Sequence, residues 1–177
     1  MALLIIGIDP GASGGIAHSI KGIAKAVAMP KNVFAVNEYV KYLTETYGKP
    51  IVFVEKVNAY LHGDDAPGKK FGINKMLHNY SELLTVFKLT GIQFVQVHPS
   101  TWQKCVPGKV KGESKQDRKT RFKEFAAEKF PETKPTLKTA DALCILNFGI
   151  DIIQNDVDWV IEKVENAEHK HSNMFLL

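Results

Sequence analysis

Short apolar runs separated by turn residues open this chain, and they predict β-strands. Residues 2–9 and 15–19 form two such runs, and the glycine-rich stretch 10–15 between them predicts a turn. Lys21-Gly22 predicts a tight reversal into a third strand over residues 23–29. The chain is therefore expected to begin as a three-stranded antiparallel meander.

Beyond residue 30 the apolar spacing changes to that of helices, interrupted by two further strands. Apolar residues three and four apart predict a helix that Gly48 ends. The continuous apolar run 51–55 predicts a strand buried on both faces, as in a parallel sheet covered by helices. The later pattern predicts a strand over 92–97, helices over 74–89, 117–130 and 137–153, and one more amphipathic turn or two after 157.

This order of elements predicts the fold class. Three antiparallel strands followed by alternating helices and strands give an α/β protein with a mixed five-stranded sheet flanked by helices. That order is the ribonuclease H-like architecture. Residues 58–72 combine glycine, proline and charged residues, and this composition predicts a long loop.

Composition narrows the setting of this fold. The hydrophobic content of 45% is ordinary for a globular core. The apolar N-terminus lacks a basic leading region and is too short to span a bilayer, so we expect neither secretion nor membrane insertion. Cys105 and Cys144 form no CxxC pair, which favours a reducing cytoplasm, that of a bacterial host if the chain is viral.

Three acidic residues lie within or at the end of apolar segments. Asp9 and Glu55 each close a strand-like apolar run, and Asp141 interrupts a helical apolar stripe. Burying a lone carboxylate is costly, and a shared divalent cation offsets that cost. Singly, Asp9 could end a strand in an Asx turn and Glu55 could face water, whereas the helical phase of Asp141 favours burial. Together they predict a magnesium or manganese site for phosphoryl chemistry.

Basic residues cluster between positions 104 and 123. The net charge of the chain is only +4, so this local clustering is more informative than the total. The cluster suits a phosphate backbone, although a solvated helix face is the alternative. Its members are Lys104, Lys109, Lys111, Lys115, Arg118, Lys119, Arg121 and Lys123, against the two acids Glu113 and Asp117.

Four motifs in a fixed order resemble the RuvC family of Holliday junction resolvases. They span roughly residues 3–150, and the tryptophan-lysine segment in the third is most similar to bacteriophage and other viral members. The motifs are Ile6–Gly11 with Gly14-Gly15, Val54-Glu55, His98–Lys104 and Ala140–Leu143.

The resemblance implies a catalytic metal site. Asp9, Glu55 and Asp141 would be the ligands of Mg²⁺, with Mn²⁺ as a substitute. Where the family usually has an acid or a histidine, three residues before the last aspartate, this chain has Lys138. Its ammonium could replace a metal's charge near the scissile phosphate, or could only solvate the start of the helix. Asp117 or Glu113 could instead complete the ligands, so one-metal and two-metal operation both stay open.

The resemblance also implies DNA contacts. Lys104 and Lys115 would contact the cleaved strand, and Tyr60 or Phe71 could wedge between unstacked bases. For Phe71 we favour the alternative that it anchors its loop to the core. Trp102 is expected to be a core residue. The full predicted set is Lys69, Lys70, Phe71, Lys75, Lys104, Lys109, Lys111, Lys115, Arg118, Lys119 and Arg121.

The implied function is the magnesium-dependent cleavage of four-way junctions and other branched DNA by a two-fold symmetric homodimer. Residues 1–155 would form the nuclease domain, and residues 156–177 a C-terminal helical extension and tail. Alternatives are a non-catalytic branched-DNA-binding protein and an RNA-directed nuclease of the same superfamily. An ATP-binding kinase of the actin and hexokinase type needs two lobes, for which 177 residues leave no room.

Overall fold

A computed structural model of the chain describes residues 3–57 and 67–172. One sheet has the strand order β3-β2-β1-β4-β5. β2 pairs antiparallel with both β1 and β3, whereas β1 with β4 and β4 with β5 are parallel. The predicted mixed five-stranded sheet is confirmed. The strands are β1 (Leu4–Asp9), β2 (Gly15–Ile20), β3 (Ile23–Ala28), β4 (Pro50–Glu55) and β5 (Gln93–Val97).

Helices cover both faces of this sheet. Asn32 caps α1 by accepting a hydrogen bond from the Ala35 amide, and Gly48 ends that helix at a φ of 97°. No helix in the described ranges has the length and hydropathy to cross a membrane. The helices are α1 (Val33–Tyr47), α2 (Pro67–Leu89), α3 (Pro99–Trp102), α4 (Lys115–Lys129), α5 (Ala140–Asn155) and α6 (Val157–Ser172), with 3-10 turns at Gln103–Cys105 and Pro131–Thr133.

Strand alternation divides the core into two layers. Ile6 and Ile8 pack with α1 and α2 on one face of the sheet. Ile5 packs on the other face, with α4, α5 and α6. Because successive strand residues point to opposite faces, Asp9 shares the face of Ile5, and Glu55 shares the face of Phe53. Both carboxylates therefore leave the sheet on the side of α5.

Helix α5 lies with its backbone directly against β1. A Cβ atom on Gly7 would stand 2.5 Å from the Leu146 nitrogen and 2.6 Å from the Ala142 oxygen, so only glycine permits this approach. Gly149 likewise leaves room for the Phe53 ring, which would be 2.5 Å from an added Cβ. The close approach fixes the first turn of α5, which carries Asp141, beside the end of β1.

Helix α2 is longer than the sequence pattern predicts. It begins at Pro67, so the part of the predicted loop from 67 to 72 is helical. Proline is well suited to the first turn of a helix because its missing N–H has no partner there, and Gly68 and Gly72 lower helix propensity without preventing the helix. Residues 58–66 of the predicted loop, with Tyr60 and His62, lie outside the described residues.

Helix α5 begins at Ala140, three residues later than predicted. The preceding residues form a turn in which the Thr136 amide donates to the Thr139 hydroxyl at 2.9 Å, and Leu137 is 42% exposed instead of lying on the apolar face. Apolar periodicity cannot register such a side-chain-to-backbone turn.

The last helix is also underpredicted. Instead of one or two turns, α6 has 16 residues. Val160 is buried in the core, and Trp159 packs edge-on against Phe148 with ring centroids 5.9 Å apart. The packing of its first turns against α5 stabilises a helix whose later sequence is largely polar.

Candidate active site

The three predicted acids converge on one edge of the sheet. Ile8 of β1 is in register with Val54 of β4, so Asp9 and Glu55 follow at the carboxyl ends of two neighbouring parallel strands. Asp141, in the first turn of α5, covers the same edge from the helical layer. Open α/β sheets bind ligands at the carboxyl ends of their strands. The topology thus brings together residues that are 132 positions apart in the chain, from Asp9 to Asp141.

Asp9 is held by the glycine-rich turn that follows it. Its Oδ1 accepts a hydrogen bond from the Gly11 amide at 3.2 Å. A Cβ on Gly14 would stand 2.6 Å from the Asp9 Cγ, so the turn closes tightly around the carboxylate. Burial raises the pKa of Asp9 from its ordinary value, against the lowering effects of the Gly11 amide and the Lys119 charge. The Asx-turn bond and the inward-facing carboxylate therefore coexist.

Glu55 has a strongly raised pKa at this edge. Burial, followed by repulsion from Asp9, raises its pKa to about 7, with a smaller contribution from Asp141. The Trp102 indole donates a hydrogen bond to Glu55 Oε2 at 3.0 Å, which lowers the pKa but does not offset burial. This carboxyl group therefore keeps its proton to a higher pH than an exposed glutamate does.

Asp141 is buried without a complete set of partners. Burial, then repulsion from Asp9, raises its pKa to about 6, while Lys119 and Arg118 lower it. Its Oδ1 is shielded from solvent and makes no hydrogen bond. Buried polar oxygens normally have a partner, so an orphaned carboxylate oxygen points to a missing one.

These residues fit a divalent cation in their chemistry. Three hard oxygen donors that repel one another, one with an orphaned oxygen, are the donors that Mg²⁺ and Mn²⁺ take. Among the described residues, no group of three or more His, Cys, Asp or Glu side chains is already arranged to hold an ion. A cation bound at this edge would therefore require the carboxylate side chains to draw together.

Trp102 is the site residue that sequence reasoning assigned to the core alone. It is fully buried, as predicted, and packs at a tilt against Phe122 with ring centroids 5.1 Å apart. Its indole N–H nevertheless points at Glu55. The two residues are 47 positions apart, and no spacing rule connects them.

The three predicted candidates for the fourth position have different surroundings. Lys138 is exposed in the turn before α5, and its carbonyl oxygen lies near Gly15. Glu113 forms an ion pair with Arg121, and Asp117 accepts a hydrogen bond from the Ser114 hydroxyl at 2.7 Å. The cations whose charges lower the pKa of the site carboxylates are instead Lys119 and Arg118 of α4.

The predicted DNA-contact residues divide into several groups. Arg118 and Lys119 lie close enough to the carboxylates to act on them electrostatically, and Arg121 donates to Glu113 and to the carbonyl oxygens of Val106 and Pro107 inside the protein. Lys70 is half-buried, and the Lys69 side chain lies outside the described part. Phe71 is 71% exposed, so it does not anchor to the core. The remaining five are exposed: Lys75, Lys104, Lys109, Lys111 and Lys115.

Comparison with known proteins supports the fold. No protein-family model and no curated protein matches the sequence. A solved structure of T. thermophilus RuvC in complex with a Holliday junction substrate is similar, with a TM-score of 0.51 and 14% identity over 87% of this chain and 96% of that chain. A second Thermus thermophilus RuvC structure has a TM-score of 0.53 and 16% identity over 86% and 96%. This chain therefore has the ribonuclease H-like fold found in RuvC.

Proposed function

We propose that this chain is an endonuclease that resolves four-way DNA junctions and other branched DNA by magnesium-dependent hydrolysis of phosphodiester bonds. One observation carries the proposal: three mutually repelling carboxylates, one with an orphaned oxygen, share the carboxyl edge of the sheet with two cations, Arg118 and Lys119. Acids that need a cation, beside cations that suit a phosphate, form a site for phosphoryl chemistry.

The fold likeness directs this chemistry towards DNA. The similar RuvC was solved with a Holliday junction substrate. At 14% identity that likeness establishes the fold, so the substrate of this chain is inferred from fold and site together. The basic segment around α4 supports the same substrate, because Arg118 and Lys119 act on the carboxylates electrostatically and its other predicted DNA-contact lysines are exposed.

In this proposal Asp9, Glu55 and Asp141 hold Mg²⁺, for which Mn²⁺ can substitute. When bound, the ion supplies Lewis acidity and a water of lowered pKa. Without the ion, Glu55, which accepts a hydrogen bond from Trp102, has a pKa of about 7, so cation binding would release a proton from it. The carboxylates also exclude a second anion from the edge until their charge is neutralised, which couples phosphate entry to cation binding.

The basic residues position the strand in this proposal. Arg118 and Lys119 bind the phosphates next to the cut, while Lys104 and Lys115 contact the strand farther along. Lys138 stays a proposed catalytic residue that approaches the scissile phosphate from the turn before α5. Its side chain is exposed and long enough to reorient.

Assembly and extent belong to the same proposal. A four-way junction has two-fold related strands that are cut in pairs, which favours a homodimer with one site per subunit. Residues 1–155 are proposed as the nuclease domain and 156–177 as its C-terminal extension. The bacteriophage-type affinity stays a prediction from the tryptophan-lysine segment.

A nicking assay tests the proposal. The full chain is incubated with a labelled four-way junction and Mg²⁺, and the wild type is compared with Asp9→Asn. We expect paired nicks from the wild type and a loss of roughly 10³-fold in the variant, since a metal donor is removed. Junction binding by the wild type without nicking would favour the non-catalytic binding protein, and nicking of RNA-containing duplexes alone would favour the RNA-directed nuclease.

A further inference from the structure

A groove opens on the face of the sheet opposite to α5, immediately beside the candidate active site. Its volume is about 400 Å³, which lies within the range of small-ligand sites. Pro10 and Ala12, directly after Asp9 in the chain, form one wall. The segment 29–34 that leads into α1 and one side of α2 form the others. The groove therefore begins where the carboxylate edge ends.

The lining of this groove is apolar at depth and basic at the rim. Val36 and Leu83 are buried, while Phe34 presents an aromatic ring that is 76% exposed. Lys31, which precedes α1, and Lys75 of α2 are both exposed lining residues, and neither forms an ion pair with a described residue. Asn32 and Asn79 add amide groups, and Glu82, whose carboxylate lies 3.1 Å from His78, is the acid of the lining.

We propose that this groove, the α1–α2 groove, binds one or two unpaired nucleotides of the strand that is cut. The inference rests on the proposed function and deepens it. A strand that leaves the carboxylates and crosses the sheet edge at Pro10 reaches the groove on the other face, and a branched substrate has unstacked bases near its branch point. Phe34 stacks on a base, and Lys31 and Lys75 contact the flanking phosphates.

The combination of groups favours a nucleic acid over an apolar peptide. Sites for single strands pair a positively charged groove with aromatic side chains, since every base has a stacking face and every nucleotide has a phosphate. Exposed Phe34, together with Lys31 and Lys75, which have no ion-pair partner among the described residues, reproduces that pairing within one cavity. A peptide would bury the ring but would leave the lysine charges without partners.

Two binding measurements on the full chain test the inference, both in EDTA, so that cleavage does not interfere and the carboxylate edge, which repels phosphate when no cation is bound, adds no contact of its own. The first is the fluorescence anisotropy of a labelled twelve-residue oligothymidylate. Phe34→Ala is expected to weaken binding about tenfold, the effect of losing one base–aromatic stack. The double variant Lys31→Ala with Lys75→Ala is expected to reduce the salt slope of binding by about 1.4, as two lost phosphate contacts on a single strand predict.

Matched controls lie on the same two helices. Tyr42 of α1 is 58% exposed, and Lys88 lies in the last turn of α2, both away from the groove lining. Tyr42→Ala and Lys88→Ala are expected to bind the oligonucleotide as the wild type does. Equal affinity and salt slope for the groove variants and these controls would overturn the inference, including in the case where the groove takes a protein segment instead.

The second measurement locates the bound base directly. An oligonucleotide carrying 5-iododeoxyuridine is photo-crosslinked to the wild type, and the adduct is mapped by mass spectrometry. We expect the adduct on Phe34; adducts confined to the α4 segment would overturn the inference. Failure of the proposed function is separate, because it appears as absence of junction nicking by the wild type whether or not the oligonucleotide binds in the groove.

Discussion

Two acidic sites in this protein have their charge partners on the same helix, α4, yet the two sites differ in how far their charge is neutralised. Glu113 receives two hydrogen bonds from Arg121, at 2.6 Å and 2.9 Å, and these lower its pKa. At the carboxylate edge, burial and mutual repulsion raise the pKa of Asp9, Glu55 and Asp141. One site holds its own counter-charge and the other does not.

The difference separates an acid with a structural role, Glu113, from acids that are available to bind a ligand. The guanidinium of Arg121 also donates to the Val106 and Pro107 carbonyl oxygens at 3.1 Å, so the pair fastens the loop before α4 to the helix. A DNA contact by Arg121 would have to compete with these bonds. The carboxylate edge keeps its binding capacity because Arg118 and Lys119 act on it only through longer-range charge. An uncompensated acid cluster is destabilising unless a ligand uses it.

The largest expected effect comes from removing the donors of the uncompensated site. Glu55→Gln and Asp141→Asn are each expected to lower junction nicking roughly 10³-fold or more, because each removes a charge that the cation needs. Single-turnover nicking at saturating Mg²⁺ measures it. Asp158→Asn, an exposed acid in the first turn of α6, is the control and should nick normally. Equal losses in all three variants would contradict the assignment.

The second effect is a pH dependence of stability in the metal-free protein. The pKa of Glu55 is raised from 4.5 to about 7 on folding, so between these values the folded state binds a proton that the unfolded chain has released. Stability should therefore fall as pH rises from 5 to 7.5, by on the order of 2 kcal/mol. Asp141 acts in the same sense, and His18, whose pKa is lowered, acts in the opposite sense.

Urea unfolding in EDTA measures this dependence. The difference between wild type and Glu55→Gln isolates the Glu55 contribution, because the variant retains His18 and Asp141. Added Mg²⁺ should restore stability at pH 7.5, as binding to the folded state alone requires. A wild-type slope equal to that of the variant would show that Glu55 is not perturbed.

The third prediction compares the melting temperatures of variants at the two acidic sites. In EDTA at pH 7.5, Asp141→Asn should raise the melting temperature because it removes a charge without a partner. Glu113→Gln should lower it, because it weakens the bonds to Arg121 and leaves that guanidinium undercompensated. Differential scanning fluorimetry of both variants reports the signs. The same sign for both would remove the distinction between the two sites.

The smallest effect tests the orientation of Glu55. Trp102→Phe deletes the indole N–H that bonds Oε2 while keeping an aromatic ring in the core. We expect the Mg²⁺ concentration for half-maximal nicking to rise about tenfold, the usual cost of losing an outer-sphere partner. Trp159→Phe is the matched control, since Trp159 packs on Phe148 and not on the carboxylates. A similar shift in both variants would reduce Trp102 to a packing role.

Most of the fold was predictable from local pattern. The five strands and the helix stops depend on apolar periodicity and on turn residues, and Lys21 and Gly22 adopt the positive φ values of 51° and 80° that a tight reversal needs. The start of α5 was not predictable, because a Thr136–Thr139 turn replaces the first helical turn. The start of α2 was not predictable either, because its first turns contain proline and glycine, which are more typical of loops.

The candidate site was predictable in its members more than in its surroundings. Asp9, Glu55 and Asp141 are recognisable because acids in apolar runs are unusual, and the sheet brings them to one edge. Their partners Trp102 and Lys119 come from other elements, and their contacts depend on distances that a linear sequence does not contain. The α1–α2 groove was not predictable for the same reason, because only the fold brings its three lining segments together.

The most direct test of the cation site is Mn²⁺ binding to the full chain by calorimetry at pH 6.5, in two buffers of different ionisation enthalpy. Because Glu55 has a pKa of about 7, the ion must displace a proton, so the account predicts binding with release of about one proton per site. Asp9→Asn should abolish both. Mn²⁺ binding equal to that of Asp9→Asn, or binding that releases no proton, would contradict the account.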